Sequence, residues 1–261
     1  MVNYTILLPP SEGKKSGGND SKVYRLVKNL KKYNSFNYLE IERDFVYNKL
    51  REALSELSEK QLEKVFELKG DNLNRAVENL SDFLNLPTLK AIERYEGVMF
   101  KSIDYENMSK KQQLNFDSSI LFIDGMFGVL KPTDLIPEYK LKISSKFLDI
   151  SIKNYWKERL YGTFREQFKN KIVIDILPQA HREVVSYSSN ENYYQISFKE
   201  EKKGKIQNVG HNSKKLKGEF VNYLVSKDNI DEKYITSFTH SEGYKYSKEL
   251  SSDNEIVFFK K

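Results

Sequence analysis

Ser11, Glu12 and Lys14 place a hydroxyl, a carboxylate and an ammonium close together, directly after an apolar run that stops at Pro9-Pro10. A strand that ends in a polar, Gly-containing loop is where α/β proteins often hold ligands. Lys14 with nearby backbone N–H groups could meet a phosphate. A carboxylate beside a lysine could instead stabilise an oxocarbenium-like centre or activate water. The loop lacks GxxxxGK[ST] and GxGxxG spacing, which argues against a nucleoside triphosphate or dinucleotide site.

The second chemistry-bearing segment is Asp124 to Tyr139, DGMFGVLKPTDLIPEY. Its two glycines allow close backbone approach, and Pro132 and Pro137 stiffen the path. Asp124, Lys131, Asp134, Glu138, Tyr139 and Lys140 are its polar groups. Read without further support, the segment is a rigid corner after a strand. The most basic stretch is Lys199–Lys217, where Lys214, Lys215 and Lys217 fall near a predicted helix start, with His211 and Asn212 just before. Lysines there oppose the helix dipole unless anions are near, which suits a phosphate-facing surface as well as a solvated one.

Other chemistries are excluded or unsupported. The chain has no cysteine, so disulfides, thiolate catalysis and Cys-ligated metals are ruled out. Its three histidines, His181, His211 and His240, form no HxH or HxxxH pair, so no metal site and no cofactor are expected. There is no GxSxG nucleophile motif. The net charge of +6 permits nucleic-acid contact without requiring it.

The elements that must position these groups are legible as periodicity. Hydrophobic residues make up 39% of 261 residues, enough for a core rather than disorder. Val2–Leu8, Ser118–Ile123, Lys171–Leu177, Tyr194–Phe198, Ile206–Val209 and Glu255–Phe259 read as strands. Residues 21–86 read as mainly helical, 87–105 as a further helix, and 145–167 and 214–226 as helices. Ser58 with Gln61 forms a helix-start signature, and Gly70 is read as the end of that helix before another begins. Lys69 and Gly70 could then be the turn of a helix-hairpin-helix, which contacts DNA phosphates through backbone amides, although pattern alone favours an ordinary antiparallel helix pair. The acidic residues Glu59, Glu63, Glu67 and Asp71 nearly cancel its positive charge. The fold expected is a single α/β (mixed α+β) domain over 1–261, a mixed sheet flanked by helices with a helical subregion at about 45–95. No apolar run approaches a membrane span and no signal peptide is indicated, so a cytoplasmic monomer without membrane contact is expected.

Five ordered blocks resemble the YaaA-type peroxide-stress proteins: LLPPSEGK, RYEGVMFKSID, ILFIDGMFGVLKPTDLIPEYKLKISSKF, GHNSKKLKGEFVNYLV and HSEGYKYSKELSSDNEIVFFKK. Two departures stand out. Many members carry Ser-Pro-Ala-Lys where this chain has Pro-Pro-Ser-Glu-Gly-Lys, and Asn-Gly-Asp where it has Tyr95-Glu96-Gly97. The resemblance implies protection from hydrogen peroxide, less free iron, less oxidative DNA damage, and binding of duplex or junction DNA in a basic cleft. It implies no established reaction. On this basis Ser11, Lys14, Gly97, Lys131, Tyr139, Lys140, Lys214, Lys215 and Lys217 are candidate DNA- or ligand-binding residues, with Lys69 and Gly70 at the hairpin turn. The rival reading is an enzyme acting on a nucleobase, nucleoside or damaged DNA through Glu12, Lys14 and Asp124. A third, iron sequestration, lacks the clustered histidines and carboxylates that storage needs.

Overall fold

The apolar runs become the strands of one sheet. A computed structural model describes residues 2–185, 192–210 and 212–261. His211 therefore lies outside the described residues. Eight strands make the main sheet: Tyr4–Leu8 (β1), Ile120–Asp124 (β2), Gly128–Leu130 (β3), Ile172–Asp175 (β4), Tyr193–Lys202 (β5), Lys205–Asn208 (β6), Lys245–Tyr246 (β7) and Glu255–Lys260 (β8). Their order is β7-β8-β5-β4-β1-β2-β3, with β6 paired to β5. Strands β8, β5, β4, β1 and β2 run parallel, while β3, β6 and β7 are antiparallel additions.

The chain begins in the middle of the sheet, moves to β2 on one side, then returns across β1 to β4 on the other. The carboxyl ends of β1 and β4 therefore flank a point where the winding reverses, and open α/β sheets bind ligands at such points. Both β1 and β2 are buried at every position, as expected for strands covered on two faces. Alternation along β1 identifies the two covers. Tyr4 donates to the carbonyl of Lys227 at 2.9 Å, just past the helix Ser213–Val225. The next residue, Thr5, donates to the carbonyl of Gln167 at 3.4 Å, in the helix Tyr161–Phe168. Successive strand side chains point to opposite faces, so these helices cover opposite sides of the sheet.

Three expectations need correction. Asn19–Val23, which overlaps the start of the stretch 21–86 read as mainly helical, forms a strand, pairing with Pro87–Lys90, which was read as helix. The second of these strands also pairs with Leu135–Ile136. The helical signal of 87–105 breaks into Ala91–Arg94 and Val98–Ile103 because Gly97 adopts φ 114, outside helical space. Gly70 begins a helix rather than ending one: the first helix, Glu59–Phe66, stops where Glu67 turns left-handed at φ 51, and Gly70 precedes Asp71–Ser81. The box at Ser58 and Gln61 is present as expected. No helix among the described residues is long and apolar enough to cross a membrane.

Candidate functional site

Asp124 ends β2 and is completely buried. Its Oδ1 accepts the backbone N–H groups of Met126 and Phe127 at 2.7 and 3.0 Å, which closes the turn into β3. Gly128 completes that turn at φ 72, and a Cβ there would stand 2.5 Å from the Trp156 ring, so only glycine fits. Trp156 in turn donates to the carbonyl of Gly125 at 2.8 Å. The other oxygen of Asp124 accepts the hydroxyls of Tyr95, at 3.2 Å, and Tyr139. Burial and then the Asp124 charge hold both phenols well above their ordinary pKa, so they stay protonated and donating.

The Ser11 loop is fastened over this centre. Lys15 donates to the carbonyl of Arg94 at 2.8 Å, Glu96 donates to that of Gly13 at 3.1 Å, and Ser11 donates to the carbonyl of Glu96. Gly97 leaves room for the contact, since a Cβ there would meet the Ser11 oxygen at 3.3 Å. Buried Arg94 ties the same loop down, donating to the carbonyls of Gly17, Pro87 and Ile136 at 2.9, 3.0 and 3.2 Å.

Lys14 thereby lies with its Nζ 4.2 Å from the Tyr139 ring centre and 5.5 Å from that of Tyr95. Among the described residues its one hydrogen bond is to the carbonyl of Ser11, at 2.9 Å. Burial lowers its pKa to about 8; Asp124 opposes that shift through space, and Lys140 adds to it. Glu12 bridges Lys140 and Lys142, each at 3.1 Å, and Lys142 reaches Glu67 at 2.5 Å. Burial pushes the Glu12 carboxyl up, but the bonds from Lys142 and Lys140 outweigh it and hold the pKa below the usual value.

A cleft of about 170 Å³ opens beside Lys14, lined by Glu12, Tyr139 and Lys140 on one wall and by Leu68, Asn72, Arg75 and Asn79 of the helix pair on the other. Both sides of the Lys69–Gly70 turn thus border the cleft, while those two residues are themselves exposed. Arg75 pairs with Glu138 at 2.9 Å.

Ser11, Glu12, Lys14, Gly97, Asp124, Tyr139 and Lys140 are therefore brought together. Lys131 is not. In the β2–β3 hairpin Gly128 faces Asp124 but Leu130 faces Phe122, so the chain has run back toward the amino end of β2 when it reaches Lys131. Its ammonium lies near Lys171 instead, whose pKa is lowered by burial and then by Lys131. Lys214 and Lys215 are exposed on the helix Ser213–Val225, and Lys215 pairs with Glu242 at 3.3 Å.

Lys217 instead reaches the sheet edge, donating to the carbonyl of Ile176 at 3.0 Å. There it meets a second buried carboxylate, Asp175 at the end of β4, which accepts Tyr193 Oη at 2.7 Å and the backbone N–H of Leu177 at 2.7 Å and forms an ion pair with Arg182. Burial, then Arg182, lower the Lys217 pKa.

Tyr95, His181 and Asp175 belong to this edge although sequence reasoning did not select them. His181 follows β4 in the short helix Gln179–Arg182. Among the described residues its Nδ1 is buried without a hydrogen-bond partner, and burial lowers its pKa to about 4 against the opposing charges of Asp124 and Glu12. The available signal was position: Asp124, Asp175 and His181 each sit at or just past a strand's carboxyl end. Among the described residues no cluster of His, Cys, Asp or Glu could hold a metal ion.

The sequence model of the family described as peroxide stress protein YaaA matches residues 4–250. A UPF0246 protein of Rickettsia peacockii (strain Rustic) is 32% identical over 220 residues, covering 82% of this chain and 87% of the relative. One from Rickettsia rickettsii (strain Iowa) is equally similar, and one from Rickettsia bellii (strain RML369-C) is 28% identical, covering 82% of this chain and 88% of the relative.

Proposed function

The chain belongs to the YaaA peroxide-stress family, and from that membership together with the site we propose that it binds DNA along the cleft beside Lys14 and thereby limits oxidative DNA damage. The observation that carries this reading is the cleft's lining: both sides of the Gly70 turn, Lys14, Arg75 and Lys140 border one space. A glycine turn at a helix N-terminus without a side-chain cap leaves backbone amides for a phosphate, as a helix-hairpin-helix would use them. The cleft's surface cations are held by carboxylates, Arg75 by Glu138 and Lys140 by Glu12. DNA phosphates would replace those carboxylates, so affinity should be moderate, little dependent on sequence and sensitive to salt.

A titration of labelled duplex and junction DNA at two salt concentrations tests this. Log K is expected to fall by about 0.9 per phosphate neutralised for each tenfold rise in salt. Arg75→Ala and Lys140→Ala should each weaken binding and reduce that slope. Binding that is absent, or that shows no salt slope, contradicts the proposal.

One observation favours a second reading, an enzyme acting on a nucleobase, nucleoside or damaged DNA. Lys14, with its pKa near 8, lies over two phenols that share the Asp124 carboxylate, beside Glu12. Perturbed groups that converge on a cleft are a mark of catalytic sites. Release of altered base or cleaved strand on incubation with damaged duplex, lost in Asp124→Asn, supports it; its absence removes it.

A further inference from the structure

Lys14 differs from every other cation at the cleft in how it is held. Lys140 and Lys142 are engaged by Glu12, and Arg75 by Glu138. Among the described residues Lys14 Nζ makes one hydrogen bond, to a neutral carbonyl, and otherwise meets ring faces. Asp124 cannot neutralise it by contact because its own oxygens are occupied by two backbone N–H groups and two hydroxyls. The amine is thus fixed at the cleft edge by the loop around it, with a buried carboxylate nearby but no ion pair to that group.

An amine in such a place is a nucleophile for carbonyl carbon. The component of DNA that offers an aldehyde is deoxyribose that has lost its base. We propose that Lys14 Nζ condenses with the open-chain aldehyde of a phosphorylated 2-deoxyribose, either at a base-free position in DNA or as the free sugar phosphate, to form an imine.

The choice of sugar rests on the DNA-binding reading above; the choice of amine rests on geometry alone. In the reaction the Nζ lone pair attacks the aldehyde carbon and gives a carbinolamine. The carbonyl oxygen then leaves as water, carrying both amine hydrogens, and the C=N bond forms. No oxidant or further reactant is needed. A proton taken up from solvent converts the neutral imine to its protonated form, whose positive charge the Asp124 carboxylate faces and the Tyr139 and Tyr95 rings flank. Arg75 and Lys140 are placed to take the sugar's phosphate by exchanging their carboxylate partners. The depressed pKa of Lys14 supports the same conclusion, since it raises the fraction of reactive amine near neutral pH.

The test is reductive trapping on the full chain. The protein is incubated with duplex containing a base-free site, or with 2-deoxyribose 5-phosphate, then treated with sodium borohydride and mapped by mass spectrometry. The expected product is a borohydride-dependent secondary amine at Lys14 whose yield climbs from pH 7 to pH 9. Lys14→Arg, which keeps the charge, should cut it by at least about tenfold. Lys131→Ala, at the other end of the hairpin, should leave it unchanged, and circular dichroism confirms that both variants are folded. An adduct only with duplex assigns the DNA source, and an adduct only with the sugar phosphate assigns the free one. Binding of intact duplex is measured in parallel. Duplex binding without any Lys14 adduct overturns the imine and leaves DNA binding standing. A Lys14 adduct with the sugar phosphate but no duplex binding overturns DNA binding and keeps the imine. Equal labelling of Lys14→Arg and the parent protein overturns the imine as well.

Discussion

Two buried carboxylates, Asp124 and Asp175, end the strands on either side of β1 at one edge of the sheet, and each is paired with tyrosine and a backbone turn. They differ in what faces them. Asp175 is closed by an ion pair with Arg182 and by Tyr193 and Leu177, so its charge is matched by contact. Asp124 has only neutral donors, and its cation, Lys14, stands off against ring faces and opens to the cleft. The first arrangement holds the chain together. The second keeps an amine and a carboxylate close without letting them quench each other. Identical residue types at equivalent strand ends can therefore serve structure or chemistry, depending on whether the charges touch.

The largest test of that contrast is Asp175→Asn. A guanidinium cannot accept a hydrogen bond, so Arg182 is left with an uncompensated charge, and urea unfolding should show a loss of about 3–5 kcal/mol. Next comes acid. His181 is held neutral in the fold, its pKa lowered from 6.5 to about 4, so its contribution to stability is complete above pH 6.5. As pH falls from 6.5 to about 4 the unfolded chain takes up a proton that the folded chain refuses, and stability drops, by at most about 1.4 kcal/mol per pH unit from this group. His181→Gln should flatten that part of the pH–stability curve; parallel curves would mean that the imidazole is not sequestered at this edge.

Asp124→Asn should cost less than its counterpart, about 1 kcal/mol by the same unfolding measurement. Its amide oxygen still accepts the Met126 and Phe127 N–H groups, and the two phenols can turn from donating to accepting. The same change removes the charge that supports the Lys14 ammonium, so Lys14 should titrate lower still, seen as a shift of its labelling profile by an amine reagent to lower pH. A cost equal to that of Asp175→Asn would erase the distinction between the two centres. Lys217→Met should be nearly neutral, within about 0.5 kcal/mol, because it removes a buried ammonium that already faces Arg182.

Much of the framework was legible. Runs such as Ile120–Asp124 and Ile172–Asp175 are continuously apolar because they are covered on both faces. Asn19–Val23 was hidden because it is polar and exposed along most of its length, and Pro87–Lys90 because its four residues begin with proline and carry no alternation. At the site, Ser11, Lys14 and Asp124 could be selected because each follows an apolar run. Lys131 was misgrouped because the Asp124 turn reverses the chain, which spacing along the sequence cannot reveal. Tyr95 and His181 were passed over since their roles arise from partners far away in sequence.

The titration of Lys14 itself bears most directly on the central claim. Reductive methylation with ¹³C-formaldehyde makes each lysine visible by NMR, and Lys14→Arg identifies the Lys14 signal. A midpoint near 8 is predicted. A midpoint near the ordinary lysine value of about 10.4 would show that the Asp124 centre holds a common paired cation, and would contradict the account.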